Sequence, residues 1–468
     1  MTLSTVRRYQ SGRVQQVGEH AAVIGGSLAG LCAARVLANG YDTVTIIEKD
    51  SLPDDSSFRR GVPQGPQVHA LQEAGRATLE DLFPGFGEDI ISAGGLLIDG
   101  ASDFKFYDEG GFLADGTKRF PMYFATRPLF EHVIRRRVAS LKNVELKPGC
   151  QFTDYLFDSE TMTIQGIAVR EGSDRKRIAA DLVVDATGRT SRTPTWLDNH
   201  GFDAPDIDEV QINLGYCTTA IRRPPDDRQT FFAAASPPRT RGGAAFPVED
   251  NRWLVNLHGM NGDHPPTDPE GFADFAASLP IPQIHRLIET HPQVWQDIEF
   301  YPFPSNRRVR YENLDRFPDG LIVLGDAIAS FNPIYGQGMS VAVLEALVLH
   351  HVLASVRGPN LALAFFDRVQ TIIDTAWTMA IGADVQFPET TGPTPPGTRM
   401  FAWYLSRLTR KAHSDAELRD ALAHVASMEH PPTRLLRPGV AWRVLKPEIL
   451  RGGHTSHVSS KAEPRRTS

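Results

Sequence analysis

The stretch that decides the fold lies near the start of the chain, where residues 21–50 read AAVIGGSLAGLCAARVLANGYDTVTIIEKD. Residues 21–24 form a short apolar run that stops at two glycines, which predicts a buried strand. Residues 28–38 have helical spacing and good helix formers, and the Asn39-Gly40 pair is a stop signal. Residues 43–47 predict a second buried strand. The order strand, helix, strand implies two parallel strands joined by a right-handed crossover.

The turn between the first strand and the helix has the residue types of a dinucleotide site. Gly25 permits a tight turn, a small residue at Ser27 lets the backbone approach a diphosphate, and Gly30 lets helix and strand pack closely. The free N–H groups at the helix start favour an anion. Glu48 ends the second strand, where an acid accepts hydrogen bonds from ribose hydroxyls. The alternative is a glycine-rich turn that binds no ligand. It is disfavoured because Gly25, Ser27, Gly30 and Glu48 all occur at the positions that a dinucleotide site requires.

Composition limits the partners and the location. Of 468 residues, 41% are hydrophobic and 22% charged, as in ordinary globular proteins. A net charge of −7 and a pI near 6.1 argue against nucleic acid as a partner. Cys32, Cys150 and Cys217 form no CxxC pair, so we expect no disulfide framework and a cytoplasmic location. We also predict no metal site, because Asp198-Asn199-His200 is typical of a polar loop. The sequence contains no run of about 18 apolar residues, so we predict no membrane span.

The rest of the chain alternates between the two kinds of structure. Residues 51–75 are typical of a loop, 181–186 and 320–325 of buried strands, and 210–260 of a β-rich region. Helices are predicted over 76–85, 127–141, 269–291 and 338–355, and over most of 360–450.

Three further segments carry a family resemblance. They are RRGVPQG at residues 59–65 with His69 after it, DATGRTS at 185–191, and GDA at 325–327 with NPIYGQGM at 332–339. In order and spacing they resemble FAD-dependent monooxygenases related to para-hydroxybenzoate hydroxylase, and among these the bacterial natural-product hydroxylases and polyether epoxidases. The second segment departs from that pattern, since Thr187 stands where many of these hydroxylases have Asp.

The resemblance implies FAD as the cofactor and NAD(P)H as a transient reductant. In that family an arginine in the first segment contacts the cofactor, as does an arginine at the start of the helix that here begins near Arg127. Asp326 matches the residue that holds the ribitol hydroxyls, and residues 332–339 match the loop beneath the flavin ring. The cofactor-binding residues expected on this basis are Gly25, Gly26, Ser27, Ala29, Gly30, Glu48, Lys49, Arg60, Gly61, Arg127, Ala186, Thr187, Gly188, Gly325, Asp326, Pro333, Gly336, Gln337, Gly338 and Met339.

The third segment is also suited to this role on physical grounds. A carboxylate at a strand end can bind a polyhydroxy chain through charge-assisted hydrogen bonds. A glycine-rich loop that opens a helix presents N–H groups and a positive dipole end, which suit a ring that becomes negative on reduction.

The fold implied is α/β, with a Rossmann-like FAD-binding domain of the GR2 type, an inserted β-sheet substrate domain and a helical C-terminal region. We expect the FAD-binding domain over 20–75, 120–200 and 305–355, and the substrate-binding domain over 76–119 and 201–304. The helical region would cover 356–451, and a polar tail over 452–468 is predicted to be disordered.

The activity implied is hydroxylation or epoxidation of a hydrophobic, natural-product-like small molecule with O₂, through a flavin C4a-hydroperoxide. No catalytic acid or base is assigned, but His69 and Tyr335 are candidates for lining the flavin pocket. A halogenase, a reductase or dehydrogenase acting on isoprenoid double bonds, and an FAD carrier remain open, although no Trp-x-Trp halogenase motif is present.

The basic segment 399–408 is predicted to pack as a helix through Phe401, Leu405 and Leu408, and the alternative is a substrate-entry or membrane-surface helix.

Overall fold

The computed structural model describes residues 1–356 and 358–447, so the predicted disordered tail at 452–468 lies outside the described residues. Within those ranges the chain forms 18 strands and 12 α-helices. The strands are β1 (Gly18–Ile24), β2 (Tyr41–Glu48), β3 (Leu96–Asp99), β4 (Phe104–Asp108), β5 (Gly111–Phe112), β6 (Pro121–Phe124), β7 (Val144–Pro148), β8 (Cys150–Asp158), β9 (Thr163–Glu171), β10 (Asp174–Ala179), β11 (Leu182–Asp185), β12 (Ile207–Arg222), β13 (Thr230–Ala233), β14 (Arg241–Val248), β15 (Arg252–Gly259), β16 (Glu299–Val309), β17 (Leu321–Val323) and β18 (Ala329–Ser330). The helices are α1 (Leu28–Leu37), α2 (Glu73–Leu82), α3 (Phe86–Ser92), α4 (Arg127–Ala139), α5 (Thr193–Asn199), α6 (Pro269–Ala277), α7 (Gln283–Thr290), α8 (Gly338–Leu353), α9 (Leu361–Asp384), α10 (Thr398–Ala412), α11 (Ala416–Ala426) and α12 (Pro438–Leu445).

A five-stranded parallel sheet organises the first part of the fold, in the order β17-β11-β1-β2-β7. Its central strands are continuous apolar runs, because both faces of a parallel sheet are covered. Val23 of β1 pairs with Ile46 on one side and Val184 on the other, and all three side chains are fully buried. The strand-helix-strand unit predicted from residues 21–50 is therefore present with the predicted order.

Helix α8 lies next to α1 and is apolar on all sides, as expected for a helix enclosed by other elements. Helices α2 and α3 pack against α8 and α4 respectively. The predicted boundary at residue 75 had assigned both helices to the substrate-binding domain. A Cβ at Gly75 would lie 2.6 Å from the Ser340 hydroxyl of α8, so α2 and α8 are in close contact.

Two further sheets complete the architecture. Strands β8, β9 and β10 form an antiparallel sheet that contacts β2 and β11, and the sequence patterns did not predict it. The other sheet has eight strands in the order β18-β16-β12-β15-β14-β13-β4-β5 and has its own apolar core against α6 and α7. It includes β18 and the end of β16, which lie beyond the predicted domain boundary at residue 304.

The C-terminal region is helical, as predicted. Helix α10 packs through Leu408, which is fully buried, and through the partly buried Leu405, as predicted, whereas the partly buried Phe401 belongs to no apolar cluster of the described residues. Met400 and Trp403 on the same helix are 74% and 55% exposed. No helix in the described part of the chain has the length and apolar character needed to cross a membrane.

Candidate functional site

The parallel sheet brings the predicted nucleotide segments to one edge. Strands β1, β2, β11 and β17 run in the same direction, so the residues that follow them meet at the carboxyl end of the sheet, where ligands of open α/β sheets bind. Gly25 follows β1, Glu48 ends β2, Ala186 follows β11 and Gly325 follows β17 within two residues. The segments that are far apart in sequence are therefore neighbours in space.

The glycine turn is packed too tightly for larger residues. Gly25 has φ +108°, and a Cβ on it would lie 2.5 Å from the Ala186 carbonyl oxygen. A Cβ on Gly30 would lie 1.9 Å from the Gly25 carbonyl oxygen. Both contacts are with backbone, which cannot move aside, so the residue types at these two positions are dictated by the close approach of helix α1 to the strands.

Glu48 is buried at the end of β2 and accepts a 2.8 Å hydrogen bond from the Gly26 N–H. The guanidinium of Arg59 lies 3.1 Å from Glu48 and 2.7 Å from Glu131, and its side chain is only 6% exposed. Arg60, the arginine chosen from the sequence, is exposed, as is Lys49. Of the two adjacent arginines, Arg59 is the one that turns inward, to the three acids Glu48, Asp50 and Glu131.

A second buried arginine, Arg127 at the start of helix α4, lies beside Ser27, which precedes helix α1. Arg127 donates a 2.8 Å hydrogen bond to the Ser27 hydroxyl, which in turn donates to Glu131 at 2.8 Å. Burial alone would raise the pKa of Glu131, but the charges of Arg127 and Arg59 outweigh it and lower that pKa. Glu131 was missed from the sequence, although its position four residues after Arg127 on α4 was a signal for an ion pair.

The arrangement around α1 fits a diphosphate. Ser27 precedes the helix but its hydroxyl does not cap it, so the first N–H groups are not satisfied by that side chain. The Arg127 Nε and Arg59 Nη2 atoms are both buried without a hydrogen-bond partner. Since a buried donor without a partner is costly, these two cationic groups suit an anion beside the helix start.

Asp326 lies in a deep cleft after β17. Its surface is accessible, yet enclosure by the protein raises the pKa of its carboxyl group, against the opposing charges of Arg127 and Arg189. Directly behind it, the fully buried Glu345 of α8 accepts a 2.5 Å hydrogen bond from the Gly325 N–H. Burial raises the pKa of Glu345 to about 8. Glu345 was not predicted, although a glutamate within the apolar run VAVLEALVLH is unusual enough to have marked it.

The segment after β11 is held by Asp185. Its Oδ1 accepts hydrogen bonds from the Thr187 hydroxyl at 2.6 Å and from the Thr187 N–H at 2.9 Å. Its Oδ2 accepts from Ser191 and Thr193 at 2.6 Å each. Gly188 has φ +82° and no atom within 4 Å of a Cβ position, so an open surface adjoins this turn.

The loop at 332–339 is braced from helix α9. Residues 333–335 form a short helical turn, Gly336 has φ +64°, and α8 begins at Gly338. The buried Asp384 accepts hydrogen bonds from Tyr335 Oη at 2.7 Å, Asn332 Nδ2 at 2.8 Å and Asn306 Nδ2 at 2.7 Å. Asp384 was missed because it lies 49 residues from Tyr335 in sequence.

A cavity of about 330 Å³ adjoins this loop. It extends from the loop to the eight-stranded sheet and to helices α10 and α11, and its wall is mainly apolar. Tyr335 contributes to the wall while its hydroxyl is engaged by Asp384. The size and the apolar character are those of small-molecule sites.

His69 is enclosed by protein, and its Nδ1 is 2.8 Å from the Gln67 carbonyl oxygen. Burial, with the nearby charge of Arg127, lowers the pKa of His69 to about 3. Such a low pKa makes the imidazole a weak base, which suits a bracing role better than that of a general base. Within 1–356 and 358–447, no group of three or more His, Cys, Asp or Glu side chains is arranged to hold a metal ion.

The predicted α/β fold class is confirmed, and two flavin-dependent enzymes of known structure share this fold. The flavin-dependent brominase Bmp2 aligns with a TM-score of 0.62 at 17% identity, covering 88% of this chain and 94% of that one. PqsL, a probable FAD-dependent monooxygenase from Pseudomonas aeruginosa, aligns with a TM-score of 0.59 at 16% identity, covering 79% of this chain and 97% of that one.

In sequence, the chain is 35% identical over 404 residues to Protein Rv3254 of Mycobacterium tuberculosis, covering 82% of this chain and 84% of that protein. The chain belongs to the family of that protein. It is also 27% identical over 368 residues to kynurenine 3-monooxygenase of Salinispora arenicola, covering 75% of each chain. No protein-family model matches the sequence.

Proposed function

We propose that the protein is an FAD-dependent monooxygenase that uses NAD(P)H and O₂ to hydroxylate or epoxidise a hydrophobic small molecule. The observation that carries the proposal is the position of the apolar cavity, which adjoins the loop at 332–339 while the nucleotide segments meet at the sheet edge. The similarity to kynurenine 3-monooxygenase and to PqsL supports the same conclusion, and with it FAD and NAD(P)H as cofactors.

Each end of the cofactor has residues suited to hold it. The start of α1 and Arg127 would bind the diphosphate, and Glu48 would accept hydrogen bonds from the ribose. Asp326 would bind the ribitol hydroxyls, since it is an accessible carboxylate in a cleft. We assign the arginine of the first segment to Arg59 in place of Arg60, because only Arg59 is directed into the site.

The domain division follows from the same assignment. The FAD-binding part would comprise the parallel sheet with α1, α2, α3, α4 and α8, and the substrate-binding part the eight-stranded sheet with α6 and α7. The cavity would then be a substrate site between the eight-stranded sheet, the loop at 332–339 and helices α10 and α11.

Bound FAD would supply the chemistry of electron storage and oxygen activation. The protein's own contribution is to position the substrate and to exclude water, which the apolar wall of the cavity can do. In the overall reaction NAD(P)H provides two electrons, one oxygen atom enters the substrate, and the other leaves as water. No side chain is assigned as an acid or base, since the low pKa of His69 makes it a weak base and the Tyr335 hydroxyl already donates to Asp384.

Isotope labelling tests the proposal and separates it from the alternatives. The purified protein is supplied with FAD, NADH or NADPH, chloride or bromide, and oxygen-18 gas, together with a panel of apolar aromatic compounds and alkenes. A product that contains one oxygen-18 atom is the expected result. A halogenated product would identify a halogenase, and a product that differs only by two hydrogens would identify a reductase or dehydrogenase. Either of these would contradict the proposal.

A further inference from the structure

Phenylalanines of the eight-stranded sheet form one wall of the cavity. The rings of Phe106 and Phe232 are stacked with their centroids 5.0 Å apart, and Phe104 meets Phe246 edge to face at 5.9 Å. All four residues line the cavity. Offset stacking and edge-to-face contacts are the geometries that aromatic rings prefer, so this wall is suited to a flat apolar or aromatic ligand.

An acid interrupts this apolar wall. Asp108, at the end of β4, lines the cavity and is partly buried. One of its oxygens accepts a 2.8 Å hydrogen bond from the Glu109 N–H. Burial raises the pKa of Asp108 to about 6, while Ser236 and Arg239 oppose the rise. Glu109 also lines the cavity, but Arg410 compensates its charge at 3.6 Å. Asp108 is therefore a partly buried carboxylate in a mainly apolar cavity wall, and it has no ion pair within 4.0 Å among the described residues.

Two buried acceptors line the same cavity. Gln337 is 4% exposed and its Oε1 has no hydrogen-bond partner. His258 is 1% exposed and its Nε2 has none either. Because Asn256 donates its Nδ2 to Thr218 at 2.8 Å, its oxygen faces His258 Nδ1, which must then carry the proton. His258 Nε2 is thus an acceptor, and burial lowers the pKa of the ring to about 3 and keeps it neutral.

No cation in the described lining is free to bind an anion. Arg419 is the one Lys or Arg side chain among the described residues that line the cavity. One of its amino groups donates to the Gly100 carbonyl oxygen, and the other lies 3.3 Å from Asp420. A carboxylate ligand would therefore enter a site that holds acceptors and negative charge without a free cation among the described lining residues, which is unfavourable.

We infer that the cavity binds an aromatic molecule whose polar end is a hydrogen-bond donor, an alcohol or amine recognised by Asp108, and that it discriminates against carboxylates. The inference rests on the proposed function for the identity of the cavity as a substrate site. A donor on the ligand would satisfy the Asp108 carboxylate, and its aromatic body would pack on the phenylalanine wall.

Four naphthalenes of nearly equal size provide the test. Dissociation constants are measured by calorimetry on the FAD-loaded protein for 2-naphthalenemethanol, 2-naphthalenemethylamine, 2-methylnaphthalene and 2-naphthoate. The alcohol and the amine are expected to bind about tenfold or more tightly than 2-methylnaphthalene, as for a hydrogen bond to a charged group, and 2-naphthoate is expected to bind most weakly. Asp108→Asn should reduce the preference for the amine over 2-naphthoate by at least about tenfold.

Asp115→Asn is the matched control, since Asp115 is an exposed acid on the same segment and does not line the cavity. It should leave the ranking unchanged. The inference is overturned if 2-naphthoate binds as tightly as the alcohol, if Asp108→Asn leaves the ratio of the two affinities unaltered, or if none of the four compounds binds. These outcomes concern binding alone, so they are distinct from a failure of oxygen transfer, which would overturn the proposed reaction and leave the ranking intact.

Discussion

The Tyr335 hydroxyl donates a 2.7 Å hydrogen bond to Asp384, which joins the loop proposed to lie beneath the flavin to the last turn of helix α9. The same carboxylate accepts from Asn332, which begins that loop. A helix of the C-terminal region therefore fixes the conformation of a segment of the FAD-binding part.

Replacing Asp384 by Asn tests this connection. Asp384 accepts hydrogen bonds from Asn306, Asn332 and Tyr335, and an Asn side chain has only one oxygen to accept them. Each buried donor left without a partner costs about 1–3 kcal/mol. We expect the free energy of unfolding to fall by about 2 kcal/mol or more in urea titrations, and FAD to bind about tenfold more weakly by fluorescence. Asp367→Asn, at an exposed position on the same helix, is the control. Unchanged FAD affinity in the Asp384 variant would show that the loop does not depend on this carboxylate.

Glu345 predicts a specific dependence of stability on pH. Its pKa is about 8 in the folded protein against an ordinary value of 4.5, because burial disfavours the charge. Between these values the folded state keeps a proton that the unfolded chain releases, so the stability that this group contributes is lost as the pH rises through the window.

Glu345→Gln removes this titration. Relative to the variant, the wild-type protein should lose up to about 1.4 kcal/mol of unfolding free energy per pH unit from about pH 5 to pH 8. Urea titrations of both proteins across this range provide the measurement. Parallel stability curves for the two proteins would mean that Glu345 is ionised in the folded state.

Gly30 is expected to tolerate no side chain. In Gly30→Ala the added methyl group would lie 1.9 Å from the Gly25 carbonyl oxygen, so α1 must move away from the strand, at a cost of about 1–3 kcal/mol. FAD binding should weaken together with thermal stability. Gly12→Ala, where nothing lies within 4 Å of the new atom, should change stability by no more than about 0.5 kcal/mol. A Gly30 variant as stable as the Gly12 variant would argue against the close packing.

The two adjacent arginines should differ sharply. Arg59→Ala removes the partner of three carboxylates, and breaking a buried ion pair in this way costs about 3–5 kcal/mol. Arg60→Ala changes an exposed side chain and should alter stability by about 0.5 kcal/mol or less. Differential scanning calorimetry and FAD titration of both variants would reveal the difference. Loss of FAD binding in the Arg60 variant alone would restore the assignment made from the sequence.

The sequence was informative where the relevant signal is local. The strand, glycine turn, helix and acid at residues 21–50 specify one another within a short span, and the structure has that unit. It was less informative where a residue acts through distant partners. Glu345 and Asp384 are recognised only once Gly325 and Tyr335 are brought beside them. Arg59 and Arg60 are equivalent as neighbours in a loop, and only the three surrounding acids distinguish them.

The reaction of the reduced protein with oxygen is the most direct test of whether the protein is a flavin monooxygenase. The FAD-loaded protein is reduced anaerobically with NADH or NADPH, mixed rapidly with O₂, and followed by absorbance, with and without 2-naphthalenemethanol. We expect a transient spectrum that belongs to neither the oxidised nor the reduced flavin and that precedes reoxidation. A protein that does not bind added FAD, or that is reoxidised without any transient species under both conditions, would contradict it.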